Sequence, residues 1–185
     1  MTSVERRADS SSQGYGTVTE PLTKDAPVPA ILVAEHILYL RQQAGVETNF
    51  VHLLGLTYMA HALMLTSYGE PLFLDRIEAW APGPSIPVVY GAFQHHKLGP
   101  IGRSGTPGDK VLGPDARMVI SVVENSFRDT DWRSLTSSIT APGTPWYNTF
   151  FGLGEGSVIT DESIRSYYSN LVENAETEPS SVVPT

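Results

Sequence analysis

The chain of 185 residues contains no cysteine. This absence excludes disulfide bonds, thiolate metal ligands and cysteine nucleophiles, and it is consistent with a reducing compartment. Basic residues are also scarce, because 12 Lys and Arg face 20 Asp and Glu, which leaves a formal net charge of −8. No predicted helix carries a basic stripe, so we expect neither nucleic acid nor an anionic membrane as a partner.

Long apolar runs are missing as well. No stretch of 18 consecutive apolar residues occurs, and no apolar run follows the first charged residues of the chain. We therefore predict neither a transmembrane helix nor a secretory signal, and we expect a protein of the cytoplasm.

Recognisable catalytic motifs are absent from the sequence. The histidines form no HExxH pair, and His52 and His61 are nine residues apart, which places them on opposite faces of a helix. The segment GRSGTPGDK, residues 102–110, has Asp109 where a phosphate-binding loop has lysine, so we interpret it as a mobile loop. No GxSxG elbow occurs either. We predict no catalytic residue, no metal site and no cofactor.

Composition divides the chain into one domain and two tails. Residues 1–27 contain mostly Ser, Thr, Gly, Pro and scattered charge, and residues 175–185 have the same character. Such segments cannot bury enough apolar surface to offset their ordering entropy, so we predict that both are disordered. The ordered domain is predicted over residues 28–174.

Helical periodicity dominates this predicted domain. The apolar segments carry boundary signals that are typical of helix ends: Pro29 and Gly45, Thr48 or Asn49 and Gly69, Asp115, Asp129 or Thr130, Thr144 with Pro145, and Thr160. Short strands are predicted near residues 77–81 and 110–112. The fold class is therefore mainly α: a compact bundle of six to seven short helices with at most a small two- or three-stranded β element.

Spacing also predicts which side chains are buried in two of the later helices. The first of these helices is expected to bury Met118, Val119, Val122 and Val123. The last helix is expected to bury Ile164, Tyr167, Tyr168 and Leu171.

A proline-rich corner lies at EAWAPGPSIPVVY, residues 78–90. Pro82 and Pro84 keep the residues before them out of the helical region, and Ser85 is predicted to cap the helix that follows. Glu78 is predicted to be buried and to accept hydrogen bonds from backbone N–H groups of the corner. The pattern fits a purely structural corner, and it also fits a corner that contacts a partner.

The run YMAHALMLTSYGEPLFLDRIEAWAPGPSIPVVYGAF, residues 58–93, resembles the Panacea domain, the SocA-like antitoxin domain also labelled phage-associated GepA-like. The positions that match the family's G-x-P-L-F, E-A-W, G-P and P-x-x-Y-x-x-F motifs are Gly69, Pro71, Leu72, Phe73, Glu78, Ala79, Trp80, Gly83, Pro84, Pro87, Tyr90 and Phe93. Residues 135–146 and 159–168 resemble two later family segments, in the family's order. The sequence departs from the family at residues 55–63 and at Ser137, where the family has histidine.

The resemblance implies a mainly helical domain that is not an enzyme and that neutralises a toxin encoded nearby by direct contact. Some members are adaptors that hand a toxin to a protease. Residues expected to bind the partner are Glu78, Trp80, Tyr90, His61 and Trp146. The resemblance also implies a bacterial cytoplasm and a phage or prophage as one source of the gene.

Three other functions stay open at this point. The protein could be a protease adaptor or a phage-encoded protein that binds a host factor, and it could be a structural component of a larger assembly. An enzyme would need a ligand beside the corner, near Glu78, Tyr90 and His61. The oligomeric state does not follow from the sequence.

Overall fold

The structure, a computed structural model, describes residues 25–177. Its elements in chain order are α1 (Ala30–Gln43), α2 (Phe50–Tyr68), β1 (Glu78–Ala79), β2 (Pro84–Ser85), α3 (Pro87–Phe93), a 3₁₀ turn (Gln94–His96), α4 (Pro114–Ser126), α5 (Trp132–Ile139), α6 (Pro145–Leu153) and α7 (Asp161–Thr177). Within these residues the only sheet is the antiparallel pair of β1 and β2. The predicted mainly α class is confirmed.

The predicted domain boundaries stay predictions, because most of both tails lies outside the described residues. Helix α7 continues to Thr177, three residues past the predicted end of the domain. At the other end, Asp25 lies against α4, where its carboxylate accepts a hydrogen bond from the Ala116 N–H at 2.9 Å.

Helix α2 forms the centre of the bundle. It packs against α1, α4, α5 and α7, and its buried residues lie on all sides. Asn49 caps the helix by accepting a hydrogen bond from the His52 N–H at 2.9 Å, and Gly69 ends it at a φ of 70°, as predicted. By length and composition α2 could cross a membrane, but 67% of its most apolar window is buried inside the domain. This is the expected character of a central core helix.

Other helix boundaries confirm part of the prediction and correct the rest. Thr144 caps α6 with Pro145 in the first position, and the Thr160 hydroxyl accepts a hydrogen bond from the Ser163 N–H. Asp131 caps α5, in place of the predicted Asp129 or Thr130. Asp129, Thr130 and Asp131 are consecutive possible acceptors. Only the Asp131 carboxylate accepts hydrogen bonds from the free N–H groups of Arg133 and Ser134.

The predicted cap of α4 is also wrong. Gly113 precedes this helix, and Asp115 lies inside its first turn. The acceptor at this helix end comes from Asp25, about ninety positions earlier in the chain, through its hydrogen bond to the Ala116 N–H. Local spacing could not indicate such a distant partner.

Burial in α4 differs from the predicted stripe. Met118 and Val122 are 58% and 46% exposed, whereas Val119 and Val123 are buried together with Ile120. A single face of α4 meets α1 and α2, and that face follows the i, i+3, i+4, i+7 spacing from Ala116. The apolar residues beside this face therefore stay in solvent.

The last helix shows the predicted stripe only at its beginning. Ile164 is buried, Tyr167 and Tyr168 are half-buried, and Leu171 is 48% exposed. Leu171 lines an open groove between α7 and α2 and is not enclosed there, so the prediction for Leu171 is wrong.

The loop between α3 and α4 is fastened to α1, in contrast to the predicted mobile loop. The Gly105 N–H donates to Gln42 Oε1 at 2.8 Å, and the Gly108 N–H donates to His36 Nδ1 at 2.9 Å. Residues 110–112 form a turn and a bend, so the short strand predicted there is wrong. The loop has no sheet edge to join, and side chains of α1 satisfy its backbone.

Two buried basic side chains lie close together where α1 and α2 meet. Arg41 is buried, and its Nε donates a hydrogen bond to Thr48 Oγ1 at 2.7 Å. His52 is buried near it. Burial, followed by the positive charge of Arg41, lowers the pKa of His52 to about 4. His52 is therefore neutral in the folded protein at neutral pH.

This depressed pKa predicts a loss of stability in acid. An unfolded histidine binds a proton below about pH 6.5, whereas folded His52 binds one only below about pH 4, so unfolding takes up a proton between these limits. Stability is fully present above pH 6.5, and His52 should remove about 3 kcal/mol of it as the pH falls to 4. Urea unfolding of the wild type and His52→Leu between pH 7 and 4 measures this slope. An equal slope in both proteins would contradict the assignment.

Candidate functional site

The proline corner folds as a tight antiparallel pair. Glu78 pairs with Ser85, and Ala79 pairs with Pro84. The predicted strand near residues 77–81 is thus confirmed in β1. The predicted capping role of Ser85 is wrong, because Ser85 belongs to β2 and Ile86 precedes α3. Its extended pairing with Glu78 places Ser85 in the ladder, one residue too early to cap α3.

A third segment fixes the corner to the beginning of α7. The Ala79 N–H donates to the Ser157 carbonyl at 2.8 Å, and the Ile159 N–H donates to the Ile77 carbonyl at 2.8 Å. Val158 also forms an isolated antiparallel bridge with Glu78. These bonds satisfy the backbone of β1 on the side away from β2, as buried backbone groups require.

Glu78 is a buried carboxylate with two side-chain donors. Its Oε2 accepts a hydrogen bond from Trp80 Nε1 at 2.8 Å, and its Oε1 accepts one from Arg76 Nη2 at 2.6 Å. The donors are therefore an indole and a guanidinium, which corrects the predicted hydrogen bonds from backbone N–H groups. The Arg76 charge compensates the carboxylate, and the indole ring of Trp80 is held in one orientation.

Aromatic rings lie on two sides of the Trp80 indole. The ring centroids of Trp80 and Tyr90 are 5.0 Å apart in an edge arrangement, and those of Tyr90 and Phe50 are 5.8 Å apart. On the other side, Trp146 Nε1 donates to the Trp80 carbonyl at 2.8 Å, and Trp146 stacks on Phe150 at 4.7 Å. Such offset and edge contacts are the favoured geometries of aromatic pairs.

A pocket of about 150 Å³ opens between the corner, α2 and α5. It will be called the corner pocket. Its lining residues are Phe50, Val51, Leu54, Gly55, Trp80, Ala81, Pro82, Gly83, Pro84, Ser85, Tyr90, Thr136 and Ile139. None of them carries a formal charge at neutral pH. The lining is suited to an apolar or aromatic group and not to a charged one.

Ser85 is the unusual member of this lining. The residue is only 3% exposed, and its Oγ has no hydrogen-bond partner among residues 25–177. A buried hydroxyl without a partner is unfavourable, so such groups are uncommon in folded proteins.

The structure brings four of the five predicted partner-binding residues together at the corner. Trp80 and Tyr90 line the pocket and are half-buried, and Glu78 holds the Trp80 indole. Trp146 supports the same turn, but at 7% exposure it offers a partner little surface. Whether any of these residues binds a partner stays a prediction.

His61 lies elsewhere. It is 1% exposed on α2, its Nε2 is 3.0 Å from Asp161 Oδ1 at the beginning of α7, and its ring is 4.2 Å from the Phe73 ring. His61 is not among the residues that line the corner pocket. In residues 25–177 no cluster of three or more His, Asp and Glu side chains could hold a metal ion.

Sequence reasoning missed the other walls of the pocket. Thr136 and Ile139 come from α5, and Leu54 and Gly55 come from α2. From the sequence, Ser85 is predicted only as a helix cap. No local pattern marks these residues as neighbours of Trp80, because their proximity depends on how α5 crosses α2.

Comparison with known proteins gives one distant match. A segment of 74 residues is 38% identical to Antitoxin SocA of Caulobacter vibrioides (strain NA1000 / CB15N). The match covers 40% of this chain and 39% of that antitoxin. No protein-family model and no solved structure matches the chain. The comparison thus supports distant similarity to an antitoxin, and it leaves the Panacea assignment as a resemblance.

Removal of the Glu78 carboxylate should destabilise the corner. Glu78→Ala leaves the half-buried indole N–H of Trp80 without its acceptor, so we expect a loss of about 1–3 kcal/mol in the free energy of unfolding. Glu78→Gln keeps an acceptor and should lose less. Urea unfolding followed by tryptophan fluorescence measures both.

The matched control is Glu162→Ala, which removes an exposed carboxylate from its ion pair with Arg165. Exposed pairs of this kind contribute little, so this variant should unfold close to the wild type. If Glu78→Ala costs no more than Glu162→Ala, then the carboxylate does not hold the corner.

Proposed function

We propose that this protein is a non-enzymatic antitoxin that neutralises a toxin encoded nearby by direct contact. The observation that carries the proposal is the 38% identity over 74 residues to Antitoxin SocA. The helical bundle and the uncharged lining of the corner pocket are consistent with a protein that acts through a shaped surface. We expect it to act in the cytoplasm of a bacterium.

We further propose that the toxin contacts the corner pocket. Trp80 and Tyr90 offer half-buried rings, and aromatic residues of this kind contribute strongly to protein interfaces. Glu78 fixes the Trp80 ring before binding, so little rotamer entropy is lost when a partner docks. Trp146 supports the turn from behind through its hydrogen bond to the Trp80 carbonyl, whereas the buried His61 lies away from this surface.

Co-expression tests the function. A toxin encoded beside this gene should arrest growth when expressed alone, and the wild-type chain should restore growth and copurify with the toxin. Restoration in a host that lacks its main ATP-dependent proteases would separate direct neutralisation from an adaptor role. Failure of both rescue and copurification would contradict the proposed function.

Two variants test the surface. Trp80→Ala should weaken the toxin complex at least about tenfold, because truncation of an interface aromatic commonly has this effect. Trp132→Ala is the matched control, since Trp132 lies on α5 under Arg133 and is not a pocket-lining residue. Binding is measured by calorimetry at a temperature at which circular dichroism shows both variants to be folded. Equal toxin affinity of both variants would show that the toxin does not bind at the corner through Trp80.

A further inference from the structure

An open apolar groove of about 250 Å³ lies between α2 and α7, and it will be called the α7 groove. Its lining residues are Met59, Ala62, Leu63, Thr66, Tyr168, Leu171, Val172 and Ala175. Leu171 and Val172 are half exposed there, although both are apolar. None of these residues lines the corner pocket, so the two surfaces are separate.

Both hydroxyl groups of this lining are already paired within the chain. Thr66 Oγ1 donates a hydrogen bond to the Ala62 carbonyl at 2.8 Å, and Tyr168 Oη donates one to Met59 Sδ at 3.5 Å. Helix α2 contains no Lys, Arg, Asp or Glu, and no charged side chain of α7 is among the lining residues. An occupant of the α7 groove therefore gains affinity from the burial of apolar surface, and that burial leaves neither charge nor hydroxyl unsatisfied.

The lining residues of α7 form a stripe with symmetrical spacing. Tyr168, Leu171, Val172 and Ala175 stand at i, i+3, i+4 and i+7, so they share one face of the helix. The midpoint of this stripe falls between Leu171 and Val172. Reversal of the helix about this midpoint exchanges Tyr168 with Ala175 and Leu171 with Val172. A second α7 in antiparallel orientation therefore sets the largest side chain of the stripe opposite the smallest.

This self-complementarity is what a twofold interface requires, because each copy presents the same patch to the other. Leu171 and Val172 of one copy enter the α7 groove of its partner, beside the wall that α2 provides. The same two residues line the groove that receives the partner's helix. A second copy thus supplies a matching stripe by symmetry alone.

We propose that a second copy of this chain occupies the α7 groove, with the two α7 helices antiparallel across a twofold axis. The stripe covers only two helical turns, so the contact is small beside the buried area of about 1,600 Å² in a standard interface. The dimer is therefore weak and depends on concentration. The proposal does not rest on the antitoxin function, and it leaves the corner pocket of each copy free.

Sedimentation equilibrium of the full chain tests the association. The mass should rise from 20.1 kDa toward twice this value between micromolar and near-millimolar concentration. The mass of a single chain at every concentration would overturn the proposal.

Two aspartate variants locate the contact. Val172→Asp places a charge in the α7 groove, and Val122→Asp places the same charge on α4 at a valine of similar exposure. Both positions are half exposed, so both variants should stay folded, which circular dichroism checks. Val172→Asp should raise the dissociation constant of the dimer at least about tenfold, because it buries an unpaired carboxylate. Equal constants for the two variants would place the interface elsewhere and overturn the proposal.

Cross-linking tests the antiparallel orientation. The chain has no cysteine, so a single new thiol reports on its own symmetry mate. Leu171→Cys lies beside the twofold axis and should form an intermolecular disulfide on mild oxidation. Ala175→Cys is displaced from its mate by seven residues, about 10 Å along the helix, which is beyond disulfide reach. Val122→Cys measures random collision. Cross-linking of Ala175→Cys as readily as Leu171→Cys would overturn the arrangement.

Other occupants of the α7 groove give different results. If residues 178–185 of the same chain fill it, the wild type stays a monomer and their removal creates the dimer. If the toxin fills it, the wild type stays a monomer and Val172→Asp lowers its toxin affinity. Either result would overturn the second copy as the occupant. Growth rescue by a chain that never dimerises would leave the antitoxin function standing, and a dimer without rescue would leave the self-association standing.

Discussion

The need to cover α2 on all sides organises this protein. A 19-residue helix with buried residues around its whole circumference cannot face water, so α1, α4, α5 and α7 must surround it. Helix α5 packs closely against Gly55, where a Cβ atom would lie 3.0 Å from Leu135 Cδ2. Close approach at this glycine, with the proline corner on the other side, leaves the corner pocket at the first turns of α2.

The corner is rigid because its polar groups are paired in two directions. Its backbone bonds across to β2 and back to residues 156–159, and its one buried carboxylate holds an indole on one side and a guanidinium on the other. This arrangement holds the proline-rich segment, which lines the pocket, in one conformation. An ordered lining favours binding because less conformational entropy is lost on association.

Several polar groups of the core are buried at some cost to stability. His52 stays neutral through burial, and its depressed pKa reduces stability in acid. Arg41 is buried beside it and donates one hydrogen bond from its Nε to Thr48. Among residues 25–177 the buried Ser85 Oγ has no hydrogen-bond partner, which is unfavourable for folding.

Local signals determined the elements of this protein from sequence alone. Asn49, Gly69, Thr144 and Pro145 act within four residues of their own positions, so spacing was sufficient to place them, and the mainly α class followed from periodicity. The aromatic residues of the corner were also identified, because their proline-rich context and family resemblance single them out. Their hydrogen-bond partners were not.

Tertiary structure decided everything that depends on a distant neighbour. It selected the buried face of α4, supplied Asp25 as the acceptor at its first turn, placed Ser85 in a strand, and separated His61 from the corner. It also placed Thr136 and Ile139 of α5 in the lining of the same pocket as Trp80. The physical reason is that helical periodicity shows which residues share a face, whereas the packing of other elements determines what that face meets.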